Sequence, residues 1–151
     1  MTEVETPADM DALVGQKLGT SGWLAVTQPM IDQFAEATGD HQWIHVDVER
    51  AKRDMPGGKT IAHGFLTLSL LPRMAQNIYR IRRRSRGINY GTNKVRFTAP
   101  VQEGARIRLH MALKASEAIE GGRRLITDCT VEIEGQERPA VVCEWISLTF
   151  D

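Results

Sequence analysis

Residues 60–79 constrain this chain more than any other stretch. Ile61, Phe65, Leu66, Leu68, Leu70, Leu71 and Met74 leave almost no polar face in its first half. A helix that is apolar all round must be covered all round, so the rest of the chain has to supply a wrapping. Pro72 should kink this helix or start a second helical piece, because its ring removes a backbone donor and crowds the preceding turn.

The wrapping follows directly in the sequence. From Gly87 the apolar period becomes two. Ile88 and Tyr90 share one parity and Val95 and Phe97 the other, so a bulge is expected at Gly91-Thr92-Asn93. Ile107, Leu109, Met111 and Leu113 alternate with Arg106, Arg108 and His110; Gly121-Gly122 turns the chain, and Leu125, Thr127, Cys129, Val131 and Ile133 alternate again. The run 141–150 is apolar at both parities, which predicts a central strand or one covered on both faces. Short turns between such strands imply an antiparallel meander. One apolar helix and one curved antiparallel sheet cover each other when the sheet wraps the helix. That α+β arrangement is the hot-dog fold. A single domain over residues 1–151 suits the length.

Ahead of the apolar stretch, Thr27-Gln28-Pro29 reads as a capped helix start, Ile31, Phe34 and Ala35 form its apolar stripe, and Gly39 ends it. With 19 basic and 19 acidic residues the formal charge is zero, which argues against a nucleic-acid partner. The charge is uneven. Glu3, Glu5, Asp9 and Asp11 make an acidic start that reads as a tail, whereas Arg80, Arg82, Arg83, Arg84 and Arg86 cluster as a solvated helix end or as an attractor for phosphates. No stretch approaches the roughly 18 apolar residues that span a bilayer. The acidic start is unlike a secretion signal, so no membrane association and a cytoplasmic location are expected. Cys129 and Cys143 are equidistant from Gln136 and should face each other across a hairpin as reduced core thiols.

The chemistry concentrates in Gly39-Asp40-His41-Gln42-Trp43-Ile44-His45-Val46-Asp47, followed by Ile61-Ala62-His63-Gly64-Phe65. Three readings compete. His41 and His45 stand at i, i+4 as metal ligands do, but the Glu of an H-E-x-x-H site is replaced by Gln42, and Gly39 disrupts the helix that would align them. The same residues would also suit a polar surface turn, with His45 hydrogen-bonded at the core margin. In the third reading Asp40 and His45, five apart in a turn, address one small volume and share a water for acid–base work.

These runs, with Ile88-Asn89-Tyr90-Gly91-Thr92-Asn93-Lys94-Val95-Arg96-Phe97, resemble the MaoC-like hydratases, the (R)-specific enoyl-CoA hydratases. The likeness is greatest to the branch with nodulation protein N and short mycobacterial enoyl-CoA hydratases, and it spans nearly the whole chain. It implies a hot-dog fold dimerised through the sheets, a role in fatty acid metabolism, and syn addition of water to a trans-2-enoyl thioester. Asp40 and His45 match the pair that activates water, and Gly64 matches the glycine whose N–H binds the thioester carbonyl. Gly64 suits that role independently, since first-turn N–H groups are free and the helix dipole is positive there. No metal or other cofactor is implied; acyl-CoA, or an acyl carrier protein thioester, is the substrate. The sequence departs from the family at Gln42-Trp43, where many members have Asn-Pro. Two alternatives are a hot-dog acyl-CoA thioesterase and a non-catalytic acyl-binding subunit.

The remaining candidates divide between packing and binding. Ser69 reads as a back-bonded core hydroxyl or as a substrate contact, and Asn93 as a side chain re-aimed into the site by the expected bulge. His63 reads as a structural residue capping its helix, His110 as a surface histidine, and Trp23, Trp43 and Trp145 as packing residues.

Overall fold

A computed structural model describes all 151 residues. Four short elements precede the first helix: strand β1 at Thr2–Val4, a 3₁₀ turn at Pro7–Leu13, and strands β2 at Lys17–Thr20 and β3 at Leu24–Ala25. Helix α1, Gln28–Thr38, starts as its sequence predicts. The Thr27 hydroxyl accepts from the Met30 N–H, and Gly39 ends the helix at φ 79°, a left-handed conformation that glycine adopts at little cost.

The apolar stretch is two helices. Residues 60–63 are extended, with the Ala62 N–H donating to Val101 C=O at 2.7 Å. Helix α4 follows at Gly64–Ser69 and α5 at Leu71–Ala75, with Pro72 in the first turn of α5 as its geometry demands. The pair is not covered on all sides. Leu66, Leu70, Leu71, Met74 and Ala75 are buried, but Phe65 is 67% exposed and Ser69 also faces outward. An i, i+4 stripe at 65 and 69 therefore meets solvent, which the count of apolar residues concealed.

The sheet contains β5 (Arg86–Phe97), β6 (Arg106–Ile119), β7 (Gly122–Ile133) and β8 (Val141–Phe150). Its order is β2-β6-β7-β8-β5, with β3 also on β6. The strands are antiparallel, as expected, but β5 crosses over to pair with β8, so only β6–β7–β8 form a meander. β8 is central. Its odd-numbered residues Val141, Cys143 and Trp145 join Ile107, Leu109, Met111, Leu113, Leu125, Val131 and Ile133 on the concave face. The buried sides of α4 and α5 fill that face in one core. This is the helix-in-sheet, hot-dog arrangement that periodicity predicted. Cys129 and Cys143 are opposite each other, buried and unbridged. Trp145 packs in the core, while Trp23 and Trp43 are half-buried beneath arginine guanidiniums.

Two charge features differ from expectation. The acidic start is no free tail: β1 pairs in parallel with β4, Tyr79–Ile81, the Glu3 carboxylate accepts from Arg82 Nε at 3.0 Å, and Glu5 pairs with Arg83 at 2.9 Å. Consequently the arginine run is a strand and turn, not a helix end. His110 is half-buried and bridges Thr20 and Glu132 at 2.9 and 2.6 Å, a fixed role where a free surface ring was expected. No helix is long and apolar enough to cross a membrane.

Leu71 is fully enclosed between α5 and the sheet. Leu71→Ala should cost about 2–5 kcal/mol, read as a lower urea midpoint at unchanged slope. Val142→Ala, on the outer face, should cost well under about 1 kcal/mol by the same measurement.

Candidate active site

The turn after Gly39 is held by its own side chains. The Asp40 carboxylate accepts the Gln42 N–H at 3.3 Å, and the short helix α2, Trp43–Val46, then places His45 inward. Asp47 accepts the Arg50 N–H and caps α3, Val48–Asp54. Gln28 ties the turn down: its amide donates to His45 C=O at 2.8 Å, while its carbonyl accepts from the Thr60 hydroxyl. The Ile61 N–H donates to Ile44 C=O at 3.0 Å, which brings the two motif runs side by side.

Two imidazoles meet there. His45 is 7% exposed and His63 3%; their rings stack with centroids 3.9 Å apart, and Phe34 packs against His63. His45 Nδ1 lies 2.7 Å from Ile61 C=O, and His63 Nε2 lies 3.0 Å from Asp40 C=O. A carbonyl only accepts, so each of those nitrogens carries the hydrogen. The lone pairs are then on His45 Nε2 and His63 Nδ1. His63 Nδ1 is buried without a partner. His63 occupies the cap position of α4, but its side chain makes no cap bond; it holds the Asp40 backbone instead.

Burial pushes the His45 pKa below the usual histidine range, and the neighbouring His63 adds to this. The Ile61 carbonyl and Asp40 pull the other way and are outweighed. The ring is therefore neutral at pH 7, with Nε2 a free acceptor. A nitrogen from each imidazole and an oxygen of the exposed Asp40 carboxylate lie within 4.8 Å of one another. This trio is a poor cation cage: rings only 23° from parallel direct their in-plane lone pairs side by side, whereas a metal must lie in both ring planes. His41 points elsewhere, toward Glu36.

Gly64 is the first residue of α4, so its N–H has no partner within the helix. A side chain there would strike the Phe97 ring, since a Cβ would lie 2.7 Å from Cδ2. A hollow of about 310 Å³ opens beside it, lined by His45, Ala62, Gly64, Thr67, Phe97 and Val141. His45 thus joins Gly64 at the hollow and Asp40 at its ring, although helix α3 and a 3₁₀ turn at Pro56–Gly58 separate the two motif segments. Ser69 does not join them. Its hydroxyl donates to Phe65 C=O at 2.7 Å, the back-bond expected of it, although the residue is exposed and borders a second hollow. Asn93 lies opposite Glu144 on the outer face of the sheet. The register slips twice, at Tyr90 and at Lys94-Val95, and the stretch between the slips turns Asn93 away from the helix. Phe97 is the contributor that the sequence did not single out, and His63, read there as a helix cap, instead holds the Asp40 backbone. The signal for His63 was its place at the mouth of a buried helix, where an imidazole must find a hydrogen bond.

An uncharged acceptor on the wall of a hollow, an anionic one within 4.8 Å of that imidazole, and a free N–H at the hollow's edge suit proton removal from water beside a developing oxyanion. The family described as "MaoC like domain" matches residues 9–134. The chain is 49% identical over 147 residues to the 3-hydroxyacyl-thioester dehydratase Z of Mycobacterium tuberculosis, covering 97% of each. It is 47% identical over 144 residues to the nodulation protein N of Rhizobium leguminosarum bv. viciae, covering 93% of this chain and 89% of that protein. Among solved structures, a monoamine oxidase regulatory protein from Archaeoglobus fulgius superimposes with a TM-score of 0.76 at 24% identity, over 99% of this chain and 97% of that one. The last likeness is one of fold.

The lowered His45 pKa has a measurable consequence for stability. Above about pH 6.5 the ring is neutral in both folded and unfolded chains and contributes no pH dependence. As pH falls below that value the unfolded chain takes the proton first, so stability drops. Urea midpoints should decline on acidification from about pH 6.5 to about 5.5, and the decline should be shallower in His45→Gln.

Proposed function

The chain belongs to the MaoC-like domain family, and from that premise we propose that it is a hydro-lyase acting on acyl thioesters: an (R)-specific enoyl-CoA hydratase/dehydratase. The observation that carries the reading is the neutral His45 imidazole with a free Nε2, a ring nitrogen within 4.8 Å of the Asp40 carboxylate, at the wall of an apolar hollow that begins at Gly64. The near relative named as a 3-hydroxyacyl-thioester dehydratase supports the same substrate class.

In the hydration direction the enoyl thioester enters the hollow with its carbonyl oxygen on the Gly64 N–H. Asp40 and His45 hold a water against the β-carbon. As the C–O bond forms, the C=C electrons move toward the thioester and its oxygen gains charge, which the Gly64 N–H stabilises. The pair takes one proton from the water and returns one to the α-carbon on the same face, so no net proton is consumed; presenting the alkene face that gives the (R)-3-hydroxyacyl thioester sets the configuration. This route requires neither metal nor redox cofactor; coenzyme A, or an acyl carrier protein, is the thiol half of the substrate. The stacked His63 is a positioning residue, holding the Asp40 backbone at 3.0 Å.

The open sheet edge supports a homodimer. All residues of β5 except Val95 are exposed, including Ile88, Tyr90 at 60% and Phe97, and one edge of the strand has no partner. An open apolar edge of that length invites aggregation unless it is covered. Pairing with β5 of a second copy would cover it, together with the adjacent Phe65.

Hydration of crotonyl-CoA, followed as loss of enoyl absorbance, is the direct test. Asp40→Asn and His45→Gln should each lose at least about 10²-fold in kcat while staying folded; near-normal turnover in either defeats the mechanism. Release of free thiol would identify a thioesterase, and binding without turnover an acyl-binding subunit. Dialysis against a chelator should leave the rate unchanged. Light scattering should give twice the 16.9 kDa chain mass, and an Ile88→Lys, Tyr90→Glu double variant should shift it to one.

A further inference from the structure

Three hollows follow one another along one seam, that of α4 and α5; the one at His45 comes first and shares no lining residue with the second. From Gly64 the helices α4 and α5 run over the concave face against β8 and β5, whose register passes through Phe97–Val141, Thr92–Trp145, Asn89–Ser147 and Gly87–Thr149. The first hollow ends at Thr67 and Val141. The second, of about 290 Å³, begins at Leu68 and is bounded by Leu71, Pro72 and Trp145. It shares Pro72, Asn89 and Trp145 with the third, of about 250 Å³, which extends past Ala75 to Tyr79, Arg84 and Thr149. At the helical rise per residue, Gly64 and Ala75 are at most roughly 17 Å apart, since α4 and α5 are not one straight helix.

The character of the seam changes along this path. Its middle is apolar, and the one helix hydroxyl there, Ser69, is already bonded to Phe65 C=O. Its far end is rich in donors. Thr149 is 2% exposed, yet its hydroxyl has no hydrogen-bond partner. Burial pushes the Tyr79 pKa up, which keeps its hydroxyl protonated and able to donate. Ser147 and Gln76 also line this end. Arg82 and Arg83 are engaged by Glu3 and Glu5, whereas Arg84 is unpaired and borders the hollow. No Asp or Glu lines it. Tyr79 and Ser147 are within reach of each other, so a purely hydrocarbon chain end would leave the Thr149 hydroxyl and the Arg84 guanidinium unmatched.

We propose that the hollow between α5 and the β5–β8 pair receives the far end of the acyl chain, and that Arg84, Tyr79 and Thr149 select acyl thioesters ending in a carboxylate. This rests on the hydratase reading and names the substrate class for the same site. An aliphatic segment lies against Leu68, Leu71, Pro72 and Trp145, and the terminal carboxylate meets the guanidinium and hydroxyls. Charge-assisted bonds of this kind are the stronger class of hydrogen bond. The other anions of such a substrate are the phosphates of coenzyme A, and the experiment separates the two.

Paired trans-2-enoyl-CoA substrates of equal length, ending in methyl or in carboxylate, are compared over a series of lengths. At the length that spans the seam, kcat/KM should favour the carboxylate at least about tenfold. Arg84→Gln should erase that ratio, Tyr79→Phe should reduce it, and Arg83→Gln, outside the hollow, should keep it. A preference for methyl at every length overturns the proposal, as does a ratio unchanged by Arg84→Gln. An Arg84→Gln loss equal for both substrates also overturns it and assigns Arg84 to the coenzyme A phosphates. If neither substrate is hydrated, the hydratase reading is what fails. Titration calorimetry with the saturated carboxylate- and methyl-ended acyl-CoA pair then decides the hollow alone: tighter carboxylate binding that Arg84→Gln removes sustains it, and equal affinities overturn it.

Discussion

Burying one side of α4 and α5 against a single concave sheet face governs where everything else in this protein can lie. The pair is short, so the buried side is completed by residues from each sheet strand that faces it. Its start cannot be submerged, because the first-turn N–H groups lack intrahelical partners and must meet something polar. Gly64 therefore sits at the rim, beside the loop that carries Asp40 and His45. The free donor of the site and the core of the fold share one origin. A bulkier residue at 64 would strike Phe97 and disturb both at once.

The electrostatics of the site arise from burial and not from an accumulation of charge. Both imidazoles are buried, and each spends one nitrogen on a backbone carbonyl. That choice settles the tautomers and leaves one lone pair on each ring. Desolvation keeps His45 neutral, so a base is available at pH 7 without a strong ion pair beside it. The cost is a buried His63 nitrogen that no protein atom satisfies. Such an unpaired group is common where function constrains a fold and rare elsewhere.

Zero net charge conceals a specific arrangement. Glu3, Glu5 and Asp11 hold Arg82, Arg83 and Arg123, so the first residues of the chain fasten the turn that follows β4 and the start of β7. Exposed pairs of this kind contribute little stability one by one. Their effect here is to choose which arginines remain available. Arg84 is left unpaired at the end of the seam, next to hydroxyls whose burial withholds water from them.

Period and punctuation made much of this legible in advance. The capped α1, the strands, the facing cysteines, the break at Pro72 and the helix-in-sheet arrangement all follow from which positions are apolar and where Gly and Pro fall. Asp40, His45 and Gly64 were legible for a related reason: turn and helix-start geometry is local, and five residues of turn bring a carboxylate and an imidazole near one volume. The acyl-thioester reading drew on likeness of motif. What the sequence could not determine is whatever depends on partners distant along the chain. His63 reaches the Asp40 carbonyl 23 residues away. Asn93 faces outward because two slips in register, not one, set its parity. The acidic start is fastened by arginines nearly eighty positions on. An alternating pattern states which face of an element must be buried, but hydrogen bonds and ion pairs between distant segments are set only when the core has closed, and so the tertiary structure alone decided them.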